Sequence, residues 1–251
     1  MAKIAWVLGG GSGIGAETVK QLSKRGWTVA ISGRRESPLN ALSASHGARP
    51  YPLDVTDVDA VKATIGKIVG DLGKIDLMIF SVAAWEPGKP GQYDYESYAK
   101  VIDTNLLGAM RVLDPLIAQM RKQGFGEIAL VASVAGYFGL PRSAAYSSGK
   151  SAMITLAETM HTELARDNIA VRLICPGFVK TDLTAKNDFP MPFLMEAEDA
   201  GKAIADGLLN TTKFEIAFPL PFVLILKALR FLPYPIFFAL MKRLIADDKQ
   251  N

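Results

Sequence analysis

The stretch LGGGSGIGAE, residues 8–17, places five glycines within its first eight positions. It follows the apolar run Ile4–Leu8 and leads into residues 17–22, where apolar residues recur at helical spacing. A glycine-rich turn between a strand and a helix allows positive φ and lets the backbone approach a pyrophosphate. The helix N-terminus then offers free N–H groups and a partial positive charge to that anion. The stretch therefore predicts a dinucleotide-binding turn, and a turn without a ligand is the alternative.

Composition narrows the class of protein. The chain has 251 residues, 49% of them hydrophobic, which is enough apolar surface to fold without disulfides or metals. We predict one unit, with a dinucleotide-binding and catalytic body over residues 1–220 and an apolar C-terminal extension over residues 221–251. The net charge of +3 is scattered, which argues against nucleic acid as a partner.

The cysteine and histidine residues bear on two questions, the cellular compartment of the protein and whether it binds a metal. Cys175 is the only cysteine, so no intrachain disulfide can form, and we interpret it as a small core residue. The first apolar run is too short for a signal peptide, so we expect a cytoplasmic protein. His46 and His161 lack companions at metal-ligand spacing, so we predict no metal site and assign them to the surface or to helix packing.

Short apolar runs alternate with helical patterns along the chain. Runs without polar alternation suit strands buried on both faces, and the alternation with helices implies βαβ units. We therefore predict an α/β fold, a Rossmann-type doubly wound parallel sheet of seven strands with helices on both faces. The predicted strands are Ile4–Leu8, Thr28–Ser32, Arg49–Leu53, Leu77–Val82, Ile128–Ser133, Val171–Cys175 and Glu215–Phe218.

Several motifs follow in register with these strands. They are Gly9, Gly13 and Gly15 of the turn, DVTD at 54–57, Asn105, Ser133, YSSGK at 146–150 and PGFVKTDL at 176–183. Taken together, they resemble the short-chain dehydrogenase/reductase family over roughly residues 3–220. The resemblance implies an oxidoreductase that moves a hydride between a nicotinamide cofactor and a carbonyl or secondary alcohol.

Four residues are candidates for catalysis. Tyr146 and Lys150 stand four apart in a helical segment, so they share a face, and a nearby ammonium lowers the pKa of a phenol. The resemblance implies that Tyr146 exchanges a proton with the substrate oxygen and that Lys150 also binds the nicotinamide ribose. It further implies that Ser133 polarises the substrate oxygen and that Asn105 joins Lys150 through a water in a proton relay. Tyr137 has no lysine four residues later, and we interpret it as a wall of the substrate pocket.

The resemblance also implies a set of cofactor contacts. The second strand leads to Gly33, where NAD-binding members carry an acidic residue, and two arginines follow. A guanidinium pairs well with a 2′-phosphate, so the sequence favours NADP(H) over NAD(H); the alternative is that Arg34 only stacks on adenine while Arg35 faces solvent. The predicted cofactor-binding residues are Gly9, Gly11, Ser12, Gly13, Ile14, Gly15, Arg34, Arg35, Asp54, Val55, Ser81, Ala83, Tyr146, Lys150, Pro176, Gly177, Val179 and Thr181.

Two stretches depart from the family pattern. Ser81-Val82-Ala83-Ala84 replaces Asn-Asn-Ala-Gly after the fourth strand, and Leu8 replaces a threonine before the glycines. In the family pattern the first stretch carries amides that brace the central sheet, and the second carries a hydroxyl that links the two turns. The altered stretch 81–84 is the only support for a dinucleotide-binding regulator or scaffold without turnover.

Two apolar segments bear on substrate and partners. Residues 183–195 are predicted to form a short lid whose aromatic and methionine side chains suit an apolar or aromatic substrate. They are Phe189, Met191, Phe193, Leu194 and Met195. Residues 214–246 are strongly apolar but too interrupted to span a bilayer. This tail has three candidate roles: cover of the substrate pocket, the interface of a homodimer or homotetramer, and peripheral contact with a membrane.

Overall fold

The computed structural model describes residues 2–88 and 91–247. Its strands are β1 Ile4–Leu8, β2 Thr28–Ser32, β3 Arg49–Pro50, β4 Leu77–Phe80, β5 Gly126–Val131, β6 Ile169–Pro176 and β7 Glu215–Phe218. Its α-helices are α1 Gly13–Lys24, α2 Glu36–His46, α3 Val58–Leu72, α4 Tyr95–Ile102, α5 Gly108–Gln123, α6 Ala144–Glu163, α7 Ala197–Asn210, α8 Leu220–Arg230 and α9 Tyr234–Asp247.

All seven strands are parallel and form one sheet in the order β3-β2-β1-β4-β5-β6-β7. The chain therefore reverses direction across the sheet between β1 and β4. Ligands of open α/β sheets bind at the carboxyl ends of the strands beside such a reversal. The predicted doubly wound parallel sheet is confirmed.

Both faces of the sheet are covered, as the unbroken apolar runs predicted. In β1, Trp6 and Leu8 belong to the core under α3, α5 and α6, whereas Ala5 and Val7 belong to the core under α1, α2 and α7. All four side chains are buried. Because successive strand residues point to opposite faces, a strand buried on both sides needs apolar residues at every position.

Some strand ends differ from the prediction. β3 contains only Arg49–Pro50, because Pro50 and Pro52 have no N–H to donate to a neighbouring strand. The chain nevertheless stays beside β2, since the N–H groups of Tyr51 and Leu53 donate to carbonyls of residues 31 and 33. β4 ends two residues earlier than predicted, β5 begins and ends two residues earlier, and β6 is longer at both ends.

Two further features frame the site. α4 and α5 are joined by a π-helical turn, Asp103–Leu107, of the kind that often marks a functional position. The apolar tail folds into α8 and α9, and Phe222, Val223 and Leu226 of α8 join the core beneath α6. In the described residues, no helix is long and apolar enough to cross a membrane.

Candidate active site

The glycine turn after β1 has no room for side chains. A Cβ on Gly9 would lie 2.7 Å from the carbonyl oxygen of Ser81, and a Cβ on Gly15 would lie 2.2 Å from that of Gly9. Gly9 and Gly13 also have φ angles of +76° and +51°, which L-residues rarely adopt. Close approach to the loop after β4 thus explains Gly9, and the tightness of the turn itself explains Gly15.

The N-terminus of α1 suits an anion. Ser12 makes no side-chain cap hydrogen bond, and the first turn of α1 carries no acidic residue. The N–H groups of that turn face a crevice of about 470 Å³, which all eighteen residues predicted to bind the cofactor line. An unblocked helix N-terminus at a crevice between strand ends fits the pyrophosphate of a dinucleotide.

The ends of β2 and β3 form the far end of this crevice. Arg34 and Arg35 are exposed there, and neither forms an ion pair with any residue the structure describes. The N–H and hydroxyl of Thr56 donate to Oδ1 of Asp54 at 3.0 and 2.8 Å. These bonds, with a smaller contribution from Arg34, hold the pKa of Asp54 below its usual value. This end of the crevice therefore offers two uncommitted guanidinium groups beside a fixed carboxylate.

Ser133, Tyr146 and Lys150 meet where the crevice passes the ends of β5 and β6. Ser133 follows β5, and its Oγ accepts from the N–H of Ala135 at 3.1 Å. Tyr146 and Lys150 lie on one face of α6, with Nζ of Lys150 5.6 Å from the centre of the tyrosine ring. Nζ donates to the carbonyl oxygen of Val131 at 2.7 Å. The three predicted side chains are thus brought together by β5 and α6.

The protonation states differ from the expectation. Burial raises the pKa of Tyr146 to about 12, although a hydrogen bond with Ser133 acts in the opposite direction. Burial also lowers the pKa of Lys150 to about 8. We expected the lysine to lower the tyrosine pKa, but its ammonium is committed to Val131 and burial dominates. In the protein alone, Tyr146 is therefore a neutral phenol at neutral pH.

Asn105 is the one predicted catalytic residue that does not line the crevice. The π-helical turn directs its side chain into the protein, where it is fully buried. Its Oδ1 accepts from the N–H of Ala84 at 2.6 Å, and its Nδ2 donates to the carbonyl oxygen of Ala84 at 2.9 Å. The Asn105 side chain therefore holds the loop after β4, and the water relay to Lys150 stays a prediction.

A second cavity, of about 540 Å³, adjoins the crevice. Ser133 and Tyr146 line both spaces, so the two meet at these hydroxyl groups. The walls of the second cavity are mainly apolar and come from the loop after β5, the lid and the C-terminal helices. Its apolar lining includes Val134, Phe138, Leu140, Phe178, Phe189, Phe222, Ile225, Leu226, Leu229 and Met241.

The predicted lid, residues 183–195, begins with a short 3₁₀ turn and closes over this cavity. Of its five predicted apolar side chains only Phe189 lines the cavity, and Phe193 and Leu194 are exposed. The last residue of the lid is joined to the chain just before its start, because the N–H of Lys180 donates to the carbonyl oxygen of Met195 at 2.9 Å. The lid is thus a closed loop with one aromatic side chain turned inward.

Sequence reasoning missed the residues that hold the lid. Nε1 of Trp85 donates to Oδ1 of Asn187 at 2.9 Å, and the ring of Trp85 packs edge-on against that of Tyr146. Arg142 pairs with Asp188 at 2.7 Å. These partners stand tens of residues apart in the chain and belong to no local pattern, so nothing in the sequence marked them.

Tyr137 is not a wall of the cavity, contrary to the prediction. Its hydroxyl donates to Oε1 of Glu215 at 2.6 Å, and Lys227 of α8 pairs with the same carboxylate. The tyrosine turns away from the substrate side because this half-buried carboxylate offers its hydroxyl a partner. Cys175 is fully buried, as expected, and His161 packs on the ring of Phe214.

Comparisons with known proteins agree with this geometry. The sequence model of the short chain dehydrogenase family matches residues 3–190. An uncharacterized oxidoreductase of Myxococcus xanthus (strain DK1622) is 34% identical over 247 residues, covering 96% of this chain and 97% of its own. A short-chain dehydrogenase from Streptomyces avermitilis has a similar crystal structure, with a TM-score of 0.81 and 24% identity over 91% of this chain and 92% of that one. ElxO with NADP bound gives a TM-score of 0.76 and 27% identity over 86% of this chain and 98% of that one. The chain belongs to the short-chain dehydrogenase/reductase family and is an NAD(P)-dependent oxidoreductase.

Proposed function

We propose that the protein is an NADP(H)-dependent oxidoreductase that interconverts a ketone or aldehyde and the corresponding alcohol on an apolar substrate. One observation carries the proposal. The polar crevice and the apolar cavity meet at Ser133 and Tyr146, so a carbonyl group held there faces the cofactor on one side and the apolar walls on the other.

The residues present account for the proton side of the reaction. A nicotinamide cofactor bound in the crevice supplies or accepts the hydride. In reduction the carbonyl carbon gains that hydride, and the oxygen gains the phenol proton of Tyr146, which the enzyme later recovers from solvent. Ser133 donates a hydrogen bond to the same oxygen, and Lys150 holds a positive charge beside the ring. The net change is carbonyl, NADPH and a proton to alcohol and NADP⁺.

The charge at the end of β2 supports the choice of NADP(H). Arg34 and Arg35 have no ion-pair partner in the described residues, and Gly33 leaves no carboxylate to repel a 2′-phosphate. The bound NADP of ElxO adds support from a relative with a similar fold. We expect Arg34→Ala to weaken NADPH binding at least about tenfold while NADH binding changes little, because a charge-assisted bond is worth about 1.5–3 kcal/mol. Fluorescence titration would measure both constants, with the exposed Arg166→Ala as the matched control.

The proposed chemistry is tested by following NADPH consumption with a panel of apolar ketones and aldehydes. Tyr146→Phe removes the proton donor and should abolish turnover while NADPH still binds. Tyr95→Phe removes a hydroxyl from an exposed tyrosine and should react as the wild type does. Tight NADPH binding without turnover of any carbonyl or alcohol would instead favour a dinucleotide-binding regulator. Turnover that persists in Tyr146→Phe would refute the assigned role.

A further inference from the structure

The C-terminal helices carry an outward apolar face that the described protein leaves uncovered. Large exposed side chains recur on it, and Phe231 is 88% exposed and Tyr234 74% exposed. The rings of Tyr234 and Phe238 stack on one another at 5.4 Å. The face, which we call the outer face, consists mainly of Leu224, Ile225, Phe231, Tyr234, Ile236 and Phe238. A patch of this kind on one side of two adjacent helices indicates an apolar partner.

The opposite side of the same helices packs against the rest of the protein. Phe222 and Leu226 of α8, with Phe237 and Met241 of α9, are buried. Lys227 pairs with Glu215 of β7, which fixes α8 to the edge of the sheet. Large apolar side chains exposed on the side of a helix away from its core indicate a second apolar environment. The outer face therefore contacts something other than this chain's own body.

The charged residues around the outer face indicate what kind of partner it binds. Between residues 219 and 246 the charged side chains are Lys227, Arg230, Lys242 and Arg243, all basic. Lys242 and Arg243 are exposed at the end of α9. Acidic residues, Asp247 and Asp248, come only directly after this segment. Aromatic and aliphatic residues beside basic ones are typical of helices that lie in the plane of a membrane and meet anionic headgroups. An interface between two copies of the chain would bring these like charges together.

The outer face is continuous with the apolar cavity. Ile225 is 49% exposed and also lines the cavity. Phe193 of the lid is exposed, and its ring stacks at 5.6 Å on that of Phe222, which lines the cavity. Apolar side chains thus connect the protein surface with the cavity that Tyr146 also lines.

We propose that the outer face of α8 and α9 lies on an anionic lipid bilayer and that the substrate is a long-chain lipid carbonyl or alcohol taken from it. The alkyl chain occupies the apolar cavity, and the oxygen-bearing carbon lies between Ser133 and Tyr146. The second part of this proposal rests on the proposed function, whereas the docking on lipid does not.

Docking is tested by sedimentation of the full chain with vesicles of phosphatidylcholine alone or with about 30% phosphatidylglycerol, whose anionic headgroups attract basic side chains. The wild type should bind the anionic vesicles. Phe231→Glu should bind at least about tenfold more weakly, since it removes a large apolar side chain from the bilayer. Tyr95→Glu, at an exposed aromatic residue outside the tail, should bind as the wild type does. Lys242→Gln with Arg243→Gln should reduce binding to anionic vesicles only.

Two results would overturn docking. One is a wild type that fails to bind either kind of vesicle, or binds them no better than Phe231→Glu. The other is a wild-type dimer, seen by sedimentation equilibrium, that dissociates in Phe231→Glu, because the face would then join two copies of the chain.

Substrate delivery is tested with two ketones, 2-tridecanone dissolved in anionic vesicles and 2-butanone in solution. Phe231→Glu should lose most of its activity on the vesicle-borne ketone and keep its activity on the soluble one. Equal activities of the two proteins on 2-tridecanone, or turnover of 2-butanone alone, would overturn lipid delivery. Failure of both ketones together with other carbonyls would count against the proposed function, while the sedimentation result on docking would still stand.

Discussion

Replacing Asn105 with alanine tests how the crevice floor is held. The buried Asn105 side chain accepts from the N–H of Ala84 at 2.6 Å and donates to its carbonyl oxygen at 2.9 Å. Truncation leaves two half-buried backbone groups without partners, each costing about 1–2 kcal/mol. We therefore expect Asn105→Ala to lower the free energy of unfolding by about 2–4 kcal/mol. The loop it releases carries Ser81 and Ala83, which line the crevice, so the dissociation constant of NADPH should rise as well.

Urea unfolding followed by circular dichroism measures the first effect, and fluorescence titration measures the second. Asn105→Asp keeps the acceptor for Ala84 N–H but turns an oxygen toward the Ala84 carbonyl, so it should be no more stable than the alanine variant. Leu107→Ala, at an exposed position of the same π-helical turn, should change stability by less than about 0.5 kcal/mol. An Asn105→Ala protein as stable as the wild type would refute the bracing role. Lost stability with unchanged NADPH affinity would refute the link to the crevice.

Three further substitutions have clear expectations. Gly15→Ala puts a Cβ 2.2 Å from a backbone oxygen, so it should abolish NADPH binding or prevent folding, which titration and circular dichroism would show. Gly70 is an exposed helical residue, and a Cβ there would have nothing within 4 Å. Gly70→Ala should therefore raise the free energy of unfolding, measured in urea, by about 0.5–1 kcal/mol, and a lower free energy of unfolding would contradict this. Because the pKa of Lys150 falls from 10.5 to about 8 on folding, the unfolded chain binds more protons between these values. The free energy of unfolding of the wild type, relative to that of Lys150→Met, should therefore rise with pH in that range, by at most about 1.4 kcal/mol per pH unit. If the two proteins' free energies of unfolding in urea changed in parallel with pH, the expectation would be contradicted.

Much of the crevice could be predicted from the sequence, because local backbone geometry and residue spacing determine which residues it needs. Gly9 and Gly13 adopt positive φ, and Gly15 has no room for a Cβ, so each position requires glycine and was visible in the sequence. The four-residue spacing of Tyr146 and Lys150 likewise determines a shared helix face. Strand positions followed from apolar runs, because a strand buried on both sides leaves no polar position.

The features that were missed depend on contacts between distant segments. The pairing of Asn105 with Ala84 exists only because the π-helical turn directs the amide inward, and no residue pattern announces that turn. Trp85 and Asn187 are joined across 102 residues. The pKa of Tyr146 also depends on such contacts: spacing predicted a nearby ammonium, but burial of the ring is the largest influence on this pKa and raises it.

The two halves of the site therefore place different demands on the chain. The crevice must match a fixed ligand with backbone N–H groups, and few sequences can do so. The apolar cavity requires only bulk and exclusion of water, which Phe189, Phe222 or Leu229 supply and many other side chains could supply equally well. The tail, which forms part of its walls, lies outside the residues that the family model matches. If the proposed function holds, selectivity for the substrate resides in segments that can change without disturbing Tyr146, and cavity shape rather than motif matching is the guide to the substrate.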